Sequence, residues 1–357
     1  DDVLVSYLSF SHVAEQVISL HAPTVAGGPV WFCDELEKIG LVLKEARPTI
    51  FFGVPRVWEK MQARVEETVR AAPKLRQRIF RWARESRGRL ADRVVLSKVR
   101  AALGLDRARI CVTAAAKMPR ATLDFFDSLG LPLLDVWGMS ESAGMGTANL
   151  HGARRPGTVG RPEDGVEIRI AADGEILTRG PHVMKGYFGK PAETAEVIDR
   201  DGWFATGDIG ELDDGFLRIT DRKKDVIVLS GGKKAAPQPI ENALKQSALI
   251  EVPIVIGNAR KFIAALIVPR FEALKRMGLG ARPLESPEVQ AAFQKEIDAY
   301  NEGKPHYEQI RAFTLLDRDL TLDAGEITPT MKVKRRVIEE RYKALIDRMY
   351  EEKPHGT

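Results

Sequence analysis

Over its first 155 or so residues the chain alternates short apolar runs with longer segments of helical period, the rhythm of an α/β sheet with crossover helices. Thr49-Ile50-Phe51-Phe52-Gly53-Val54 reads as a buried strand, followed by a helix opening at Pro55. Arg109-Ile110-Cys111-Val112-Thr113 repeats the unit. Its helix has Pro119 near the first turn, Leu123, Phe126 and Leu129 on one face, and Gly130 as its stop. Leu131 to Val136 is the next buried strand, and its end meets Trp137-Gly138-Met139-Ser140-Glu141, where open α/β sheets place ligand loops. From about 156 to 221 the pattern changes to short strands and turns: Val166 to Ile170, an Asp173-Gly174 turn, Glu175 to Arg179, and Phe216 to Thr220. Beyond Lys224 the pattern predicts a compact α+β unit. Its strands lie near 226–230, 252–257 and 262–268, and its helices near 238–247, 287–301 and 334–350. The helix at 287 has Ser286 as N-cap, Pro287 at its first position, and Val289, Phe293, Ile297 and Tyr300 along one stripe.

Composition adds bounds. The 357 residues, 44% hydrophobic and 29% charged, can bury a large core divided over more than one domain. The net charge of +4 suits anionic partners such as ATP, CoA or a phospholipid surface without selecting among them, and no nucleic-acid partner is expected. Cys33 and Cys111 each sit in an apolar stretch with no paired metal-ligand spacing, which argues against a disulfide scaffold or a zinc site and favours a reducing cytoplasm. No apolar run approaches the roughly 20 residues that span a bilayer, and no basic-then-apolar signal core opens the chain. Because Asp1-Asp2 leads straight into the strand-like Val3 to Leu8 without an initiating methionine, the chain is expected to begin inside a domain. Ten Lys or Arg between Lys74 and Arg100 face only Glu85 and Asp92, interleaved with Phe80 and Trp82. A solvated helix face is the preferred reading of this stretch, and an interfacial helix touching anionic lipid headgroups is the other.

Four blocks carry the chemistry: Trp137 to Glu141, Thr206-Gly207-Asp208, Asp221-Arg222-Lys223-Lys224-Asp225, and Gly325-Glu326-Ile327-Thr328-Pro329-Thr330-Met331-Lys332. In this order they resemble the later signature motifs of the adenylate-forming (acyl-CoA synthetase/luciferase-like) superfamily. Phe52-Gly53-Val54-Pro55-Arg56-Val57-Trp58-Glu59-Lys60 is similar to long-chain fatty acyl-CoA synthetases, including their bubblegum-like subgroup. The resemblance implies a large AMP-binding domain over 1–223, a doubly wound α/β sheet with a β subdomain at about 156–221, then a mobile α+β domain over 224–357. It also implies an ATP-dependent ligase acting on a long-chain fatty acid and CoA, cytoplasmic or peripheral at a membrane.

The same resemblance distributes roles. Glu141 would contact Mg²⁺, Ser140 the phosphates, and Trp137 would flank adenine, with Gly138 among the cofactor-binding residues and with Trp and Ser standing where the family usually has Tyr and Thr. One carboxylate is adequate for Mg²⁺, which keeps most of its ligands as phosphate and water. Asp208 would accept hydrogen bonds from both ribose hydroxyls, with Arg222 reaching the same ribose. Lys224 would be the hinge. Gly231 and Gly232, in Ser230-Gly231-Gly232-Lys233, would border the pantetheine of CoA, with Lys234 in place of a common asparagine. Lys332 would contact the carboxylate and α-phosphate during adenylation, where an ammonium stabilises developing charge. His12, in Ser9-Phe10-Ser11-His12-Val13, would border the acyl pocket, and Gln16 stands where some long-chain members have a tryptophan gate. Ala114 and Ala115, in Thr113-Ala114-Ala115-Ala116, would line the acyl and nucleotide site, Ala114 replacing a glycine. The family's Thr/Ser/Gly-rich phosphate loop is not among these residues, so the chain reads as the later part of an enzyme. Two rivals stay open: a ligase that loads a carrier-protein pantetheine, and a catalytically incomplete nucleotide- or acyl-binding fragment.

Overall fold

The computed structural model describes residues 2–328 and 332–351, so Pro329, Thr330 and Met331 of the last block lie outside the described residues. The chain divides into two compact units. The first holds the residues up to Thr206 together with Gly210–Ile219, and the second holds Gly207–Ile209 and the residues from Thr220 onward.

In the first unit, β1 (Leu4–Ser6) and β2 (Val30–Phe32) form a parallel pair. A five-stranded sheet follows from β3 (Ile50–Gly53), β4 (Ile110–Thr113), β5 (Leu133–Trp137), β6 (Thr147–Ala148) and β7 (Arg161–Pro162), in that spatial order. The β3, β4 and β5 strands run parallel, and β6 and β7 add antiparallel. Helices Pro55–Ala71 and Arg120–Ser128 contribute to the core beside these strands. Pro55 opens its helix, and Pro119 is the N-cap immediately before the first turn of Arg120–Ser128. Trp58 explains why the Phe52 to Lys60 block is needed structurally. It is fully buried, meets Phe51 and Phe126 edge-to-face at 5.1 and 4.9 Å, and donates its indole N–H to the Gly53 carbonyl at 2.9 Å. Burial pushes the Cys111 thiol up to about 12, which leaves it inert.

The β subdomain is a four-stranded sheet of β8 (Glu167–Ile170), β9 (Glu175–Arg179), β10 (Phe204–Asp213) and β11 (Phe216–Arg222), ordered β11-β10-β9-β8. The antiparallel β8–β9 hairpin turns at Asp173-Gly174, where Gly174 has φ +88°.

The second unit begins with a small hairpin of β12 (Ile227–Val228) and β13 (Lys234–Ala235). Its main sheet has β14 (Ile250–Ile256) antiparallel to β15 (Ile263–Pro269), and β15 parallel to β16 (Ile310–Leu315). The apolar β15 is buried on both faces. Ala265 and Ile267 join Ile240, Phe293 and Ile297 from helices Pro237–Leu244 and Pro287–Asn301. Ala264, Leu266 and Val268 join Ile338, Ile346 and Met349 on the opposite face. Two expectations change here. The strand β16 was not read from the sequence, because Arg311 and Thr314 interrupt its apolar run. The single helix expected near 334–350 is two helices, Arg335–Arg341 and Lys343–Glu351, separated at Tyr342, whose phenol donates to Glu326 at 3.1 Å.

Candidate active site

The first unit gathers several of the singled-out residues at the carboxyl ends of β4 and β5. Ala114 and Ala115 follow β4, with Ala115 in a left-handed conformation at φ 72°. After β5 the chain turns through a short 3₁₀ segment, Ser140–Ser142. The turn is closed by Ser142, whose hydroxyl accepts from the Met139 N–H at 3.0 Å, while the Ser142 N–H donates to the Met139 carbonyl at 3.1 Å. Gly138 is required by packing: a Cβ there would stand 2.5 Å from the Gly144 carbonyl oxygen and 2.7 Å from Met145 Cα. The same loop touches the helix that begins after His12, because a Cβ on Gly144 would meet Val17 and Val13 methyls at 3.3 and 3.4 Å. His12 caps that helix, its Nδ1 accepting from the Ala14 N–H at 3.2 Å. The ring proton therefore resides on Nε2 when the imidazole is neutral.

Glu141 is half-buried, Ser140 is exposed, and the Tyr187 hydroxyl donates to Glu141 Oε1 at 3.1 Å. Trp137 is buried in a small cluster with Val159, Ile176 and Leu217, so its ring is held by protein on the β-subdomain side. Sequence reasoning missed two features here. Tyr187 orients Glu141 from 46 residues away, which no local pattern reveals. Thr113 and Asp135 are register partners on β4 and β5, both buried; the Thr113 hydroxyl has no partner among the described residues, and burial pushes the Asp135 carboxyl well above its usual range, against the pull of Lys117.

In the second unit, three blocks read separately from the sequence meet. Asp208 is buried and pairs with Arg222, Nε to Oδ1 at 3.2 Å. Lys332 lies within electrostatic range of both, and of Asp225 and Arg335; burial first, and then Arg222, lower its pKa, while Asp225 and Asp208 oppose. Lys332 itself is tied to the described residues on the other side of the block. The Lys332 N–H donates to Thr328 Oγ1 at 3.0 Å, the Thr328 N–H donates to the Lys332 carbonyl at 2.8 Å, and Ile327 bridges Val333. Glu326 is wholly buried and accepts from Arg318 at 2.8 and 2.7 Å, Arg341 at 2.9 Å, Tyr342 at 3.1 Å and the Thr321 N–H at 3.1 Å. Those donors, Arg318 foremost, hold the Glu326 carboxyl down to about 2. Lys224 occupies an exposed turn closed by the Asp225 and Val226 N–H groups on the Arg222 carbonyl. Gly231 and Gly232 form the exposed tip of the β12–β13 hairpin, with open space where a Cβ of either would stand.

Asp221, beside this group, offers a pH test. It is buried, and its Oδ1 accepts from the Arg222 N–H at 2.6 Å. Burial, with Asp225 adding to it, pushes its pKa up to about 6. A carboxyl whose folded pKa exceeds its ordinary value favours the folded state in acid, and that contribution is lost as pH rises from about 4 through about 6. Asp221→Asn is therefore expected to lack this slope and to exceed the parent by about 1–3 kcal/mol at neutral pH. Thermal unfolding of both proteins across that range is the check, and a variant less stable than the parent at pH 7 contradicts it.

Residues 1–188 match the family described as AMP-binding enzyme, and residues 224–354 match the AMP-binding enzyme C-terminal domain. The chain belongs to the AMP-binding enzyme family. Among similar members, the putative fatty-acid–CoA ligase fadD11 of Mycobacterium tuberculosis strain H37Rv is 37% identical over 379 residues, covering 98% of this chain and 66% of that protein. The long-chain-fatty-acid–CoA ligase ACSBG2 of Gallus gallus is 34% identical over 401 residues, covering 98% of this chain and 53% of that protein. This AMP-binding chain thus spans between about half and two thirds of the length of these relatives. The fold is also that of the A domain of carboxylic acid reductase from Segniliparus rugosus in complex with AMP and a co-purified carboxylic acid. The TM-score is 0.77 at 24% identity, over 98% of this chain and 54% of that one. No helix among the described residues is long and apolar enough to cross a membrane.

Proposed function

We propose that this chain belongs to a long-chain fatty acid:CoA ligase. The fatty-acid carboxylate attacks the α-phosphorus of ATP, the bond to the β-phosphate oxygen breaks, and pyrophosphate leaves with that electron pair. The CoA thiolate then attacks the acyl carbonyl and displaces AMP. The observation that carries this reading is the meeting of Asp208, Arg222 and Lys332 in one electrostatic neighbourhood. An acidic acceptor for vicinal hydroxyls beside two cations suits a nucleotide monophosphate whose α-phosphate gathers charge as the reaction proceeds.

Asp208 holds the ribose, with Arg222 fixing its carboxylate and adding a donor. Lys332 stabilises the charge that builds on the α-phosphate and the attacking carboxylate. Glu141, oriented by Tyr187, would hold a Mg²⁺ ion through its single carboxylate, an arrangement that suits this cation. Such an ion, when bound, neutralises phosphate charge. Ser140 and the backbone at Gly138 face the phosphates, Trp137 forms the wall beside adenine, and His12, Ala114 and Ala115 border the acyl chain. The exposed turn at Lys224 is the hinge for the second step, and the Gly231-Gly232 tip admits the pantetheine of CoA. A hinge at Lys224 would set the functional boundary at 223/224, whereas the compact second unit already takes in Gly207–Ile209 and the residues from Thr220.

The acceptor is tested by product analysis of the full-length protein with ATP, Mg²⁺ and palmitate. Acyl-CoA formed with free CoA supports the reading. Acyl transfer that occurs only to a carrier-protein pantetheine replaces the acceptor. Failure of both in a folded protein leaves a nucleotide- or acyl-binding role.

A further inference from the structure

Helix Lys74–Ser86 in the first unit buries Phe80 and Ala83 against the core. A solvated outer face would be polar throughout, yet Leu75, Ile79 and Trp82 are exposed at 67%, 40% and 44%. At 100° per residue these three fall within one narrow stripe, because they are spaced four and three residues apart. Lys74 and Arg78 flank the stripe on one side and Arg76 on the other, all exposed. The pattern continues beyond the helix, where Leu90 and Val94 are exposed at i and i+4, beside exposed Arg89, Arg93 and Lys98. Within residues 74–100 the sequence sets Glu85 and Asp92 against ten cations; Arg100 pairs with Asp92 at 2.6 Å and Arg87 with Asp127 at 3.2 Å, while Lys74, Arg76, Arg78, Arg89, Arg93 and Lys98 are exposed along the stripe.

We propose that this stripe is a docking surface for an anionic lipid bilayer, with Leu75, Ile79 and Trp82 entering the headgroup boundary and the flanking Lys and Arg contacting lipid phosphates. A narrow apolar stripe bordered by cations, with a Trp on it, has the chemistry of an interfacial helix that lies in the plane of a membrane. Charge decides between lipid and a protein partner: a cationic border matches a uniformly negative surface, and apolar side chains of this size reach the acyl boundary. The surface deepens the ligase reading, since a long-chain fatty acid partitions into membranes and a docked enzyme meets it there; in that respect it rests on that reading. The binding itself requires neither ATP nor CoA.

The test is co-sedimentation of the full-length protein with vesicles of equal parts phosphatidylglycerol and phosphatidylcholine, and with phosphatidylcholine alone, in the absence of substrates. The protein is expected to bind the anionic vesicles, more weakly at high salt, and to bind the neutral ones at least about tenfold less. The exposed-site triple variant Leu75→Ser/Ile79→Ser/Trp82→Ser is expected to lose about tenfold or more in partition coefficient, with its melting temperature unchanged. Trp82, followed as the difference in emission between the parent and Trp82→Phe, shifts to the blue when vesicles are added. Equal binding by the triple variant overturns the proposal. So does Trp82 emission that is already shielded before lipid is added, which would mean that protein covers the stripe. Because acyl-CoA formation from detergent-dispersed fatty acid is measured separately, loss of docking and failure of the ligase reading are distinguishable.

Discussion

Lys332→Ala is expected to lower acyl-adenylate formation in the full-length protein by roughly 100- to 1000-fold, the usual loss when a charge-stabilising donor is removed from a transition state. The change should fall on kcat more than on the KM for ATP, because Asp208 and Arg222 remain to hold the ribose. Thioester formation from acyl-adenylate supplied ready-made should be nearly unaffected, which separates loss of the ammonium from misfolding. The charge also predicts a pH limit. Burial and Arg222 lower the pKa of Lys332, so the adenylation rate should decline on the alkaline side at a pH below that of an ordinary lysine. Lys332→Arg keeps the charge but spreads it over a planar fork, and only partial recovery is expected. Thioester formation lost in parallel with adenylation would contradict the assigned role.

Glu326→Gln is the second large effect, and it acts on a group that touches no substrate. The buried carboxylate receives two arginines, a phenol and a backbone N–H, and it anchors the segment next to the isolated Ile327–Val333 bridge, close in sequence to Lys332. An amide of the same shape removes the charge and turns one acceptor into a donor facing Arg318 and Arg341. The expected cost to the second unit is about 2–4 kcal/mol, discounted because both arginines can regain water at the surface. The sign of the pH dependence follows from the depressed pKa: the carboxylate's stabilisation is complete above about 4.5 and is lost as pH falls through about 2. Urea unfolding of parent and variant should therefore differ at neutral pH and converge in strong acid. Adenylation should fall in the variant at temperatures where the unit remains folded, since the segment beside Lys332 loses its anchor. Equal stability at neutral pH would contradict this account.

Much of the architecture was legible in the chain because its patterns are local. Ser286 and Pro287 mark a helix start that the structure places at Pro287, and Val289, Phe293 and Ile297 are buried along it. The Phe51 to Trp58 segment announces a strand and a proline-opened helix, and both form. What was not legible depends on contacts distant in sequence. The parallel pairing to β15 makes β16 a strand despite Arg311, and the link from Tyr342 to Glu326 accompanies the break that periodicity could not show. The motif residues are each visible as words in the chain, but the proximity of Asp208, Arg222 and Lys332 is a property of the folded second unit. The hydrogen bond of Tyr187 to Glu141 is likewise a property of the folded first unit, and Glu326, which reads as one charged residue in a polar loop, proves to be a buried anchor of the second.

The most direct measurement is pyrophosphate release by the full-length protein with ATP, Mg²⁺ and fatty acids of graded chain length, with and without CoA. Release that requires a long acyl chain, proceeds to acyl-CoA and AMP when CoA is present, and collapses in Lys332→Ala is the predicted result. A folded full-length protein that releases no pyrophosphate with any fatty acid would contradict the ligase mechanism.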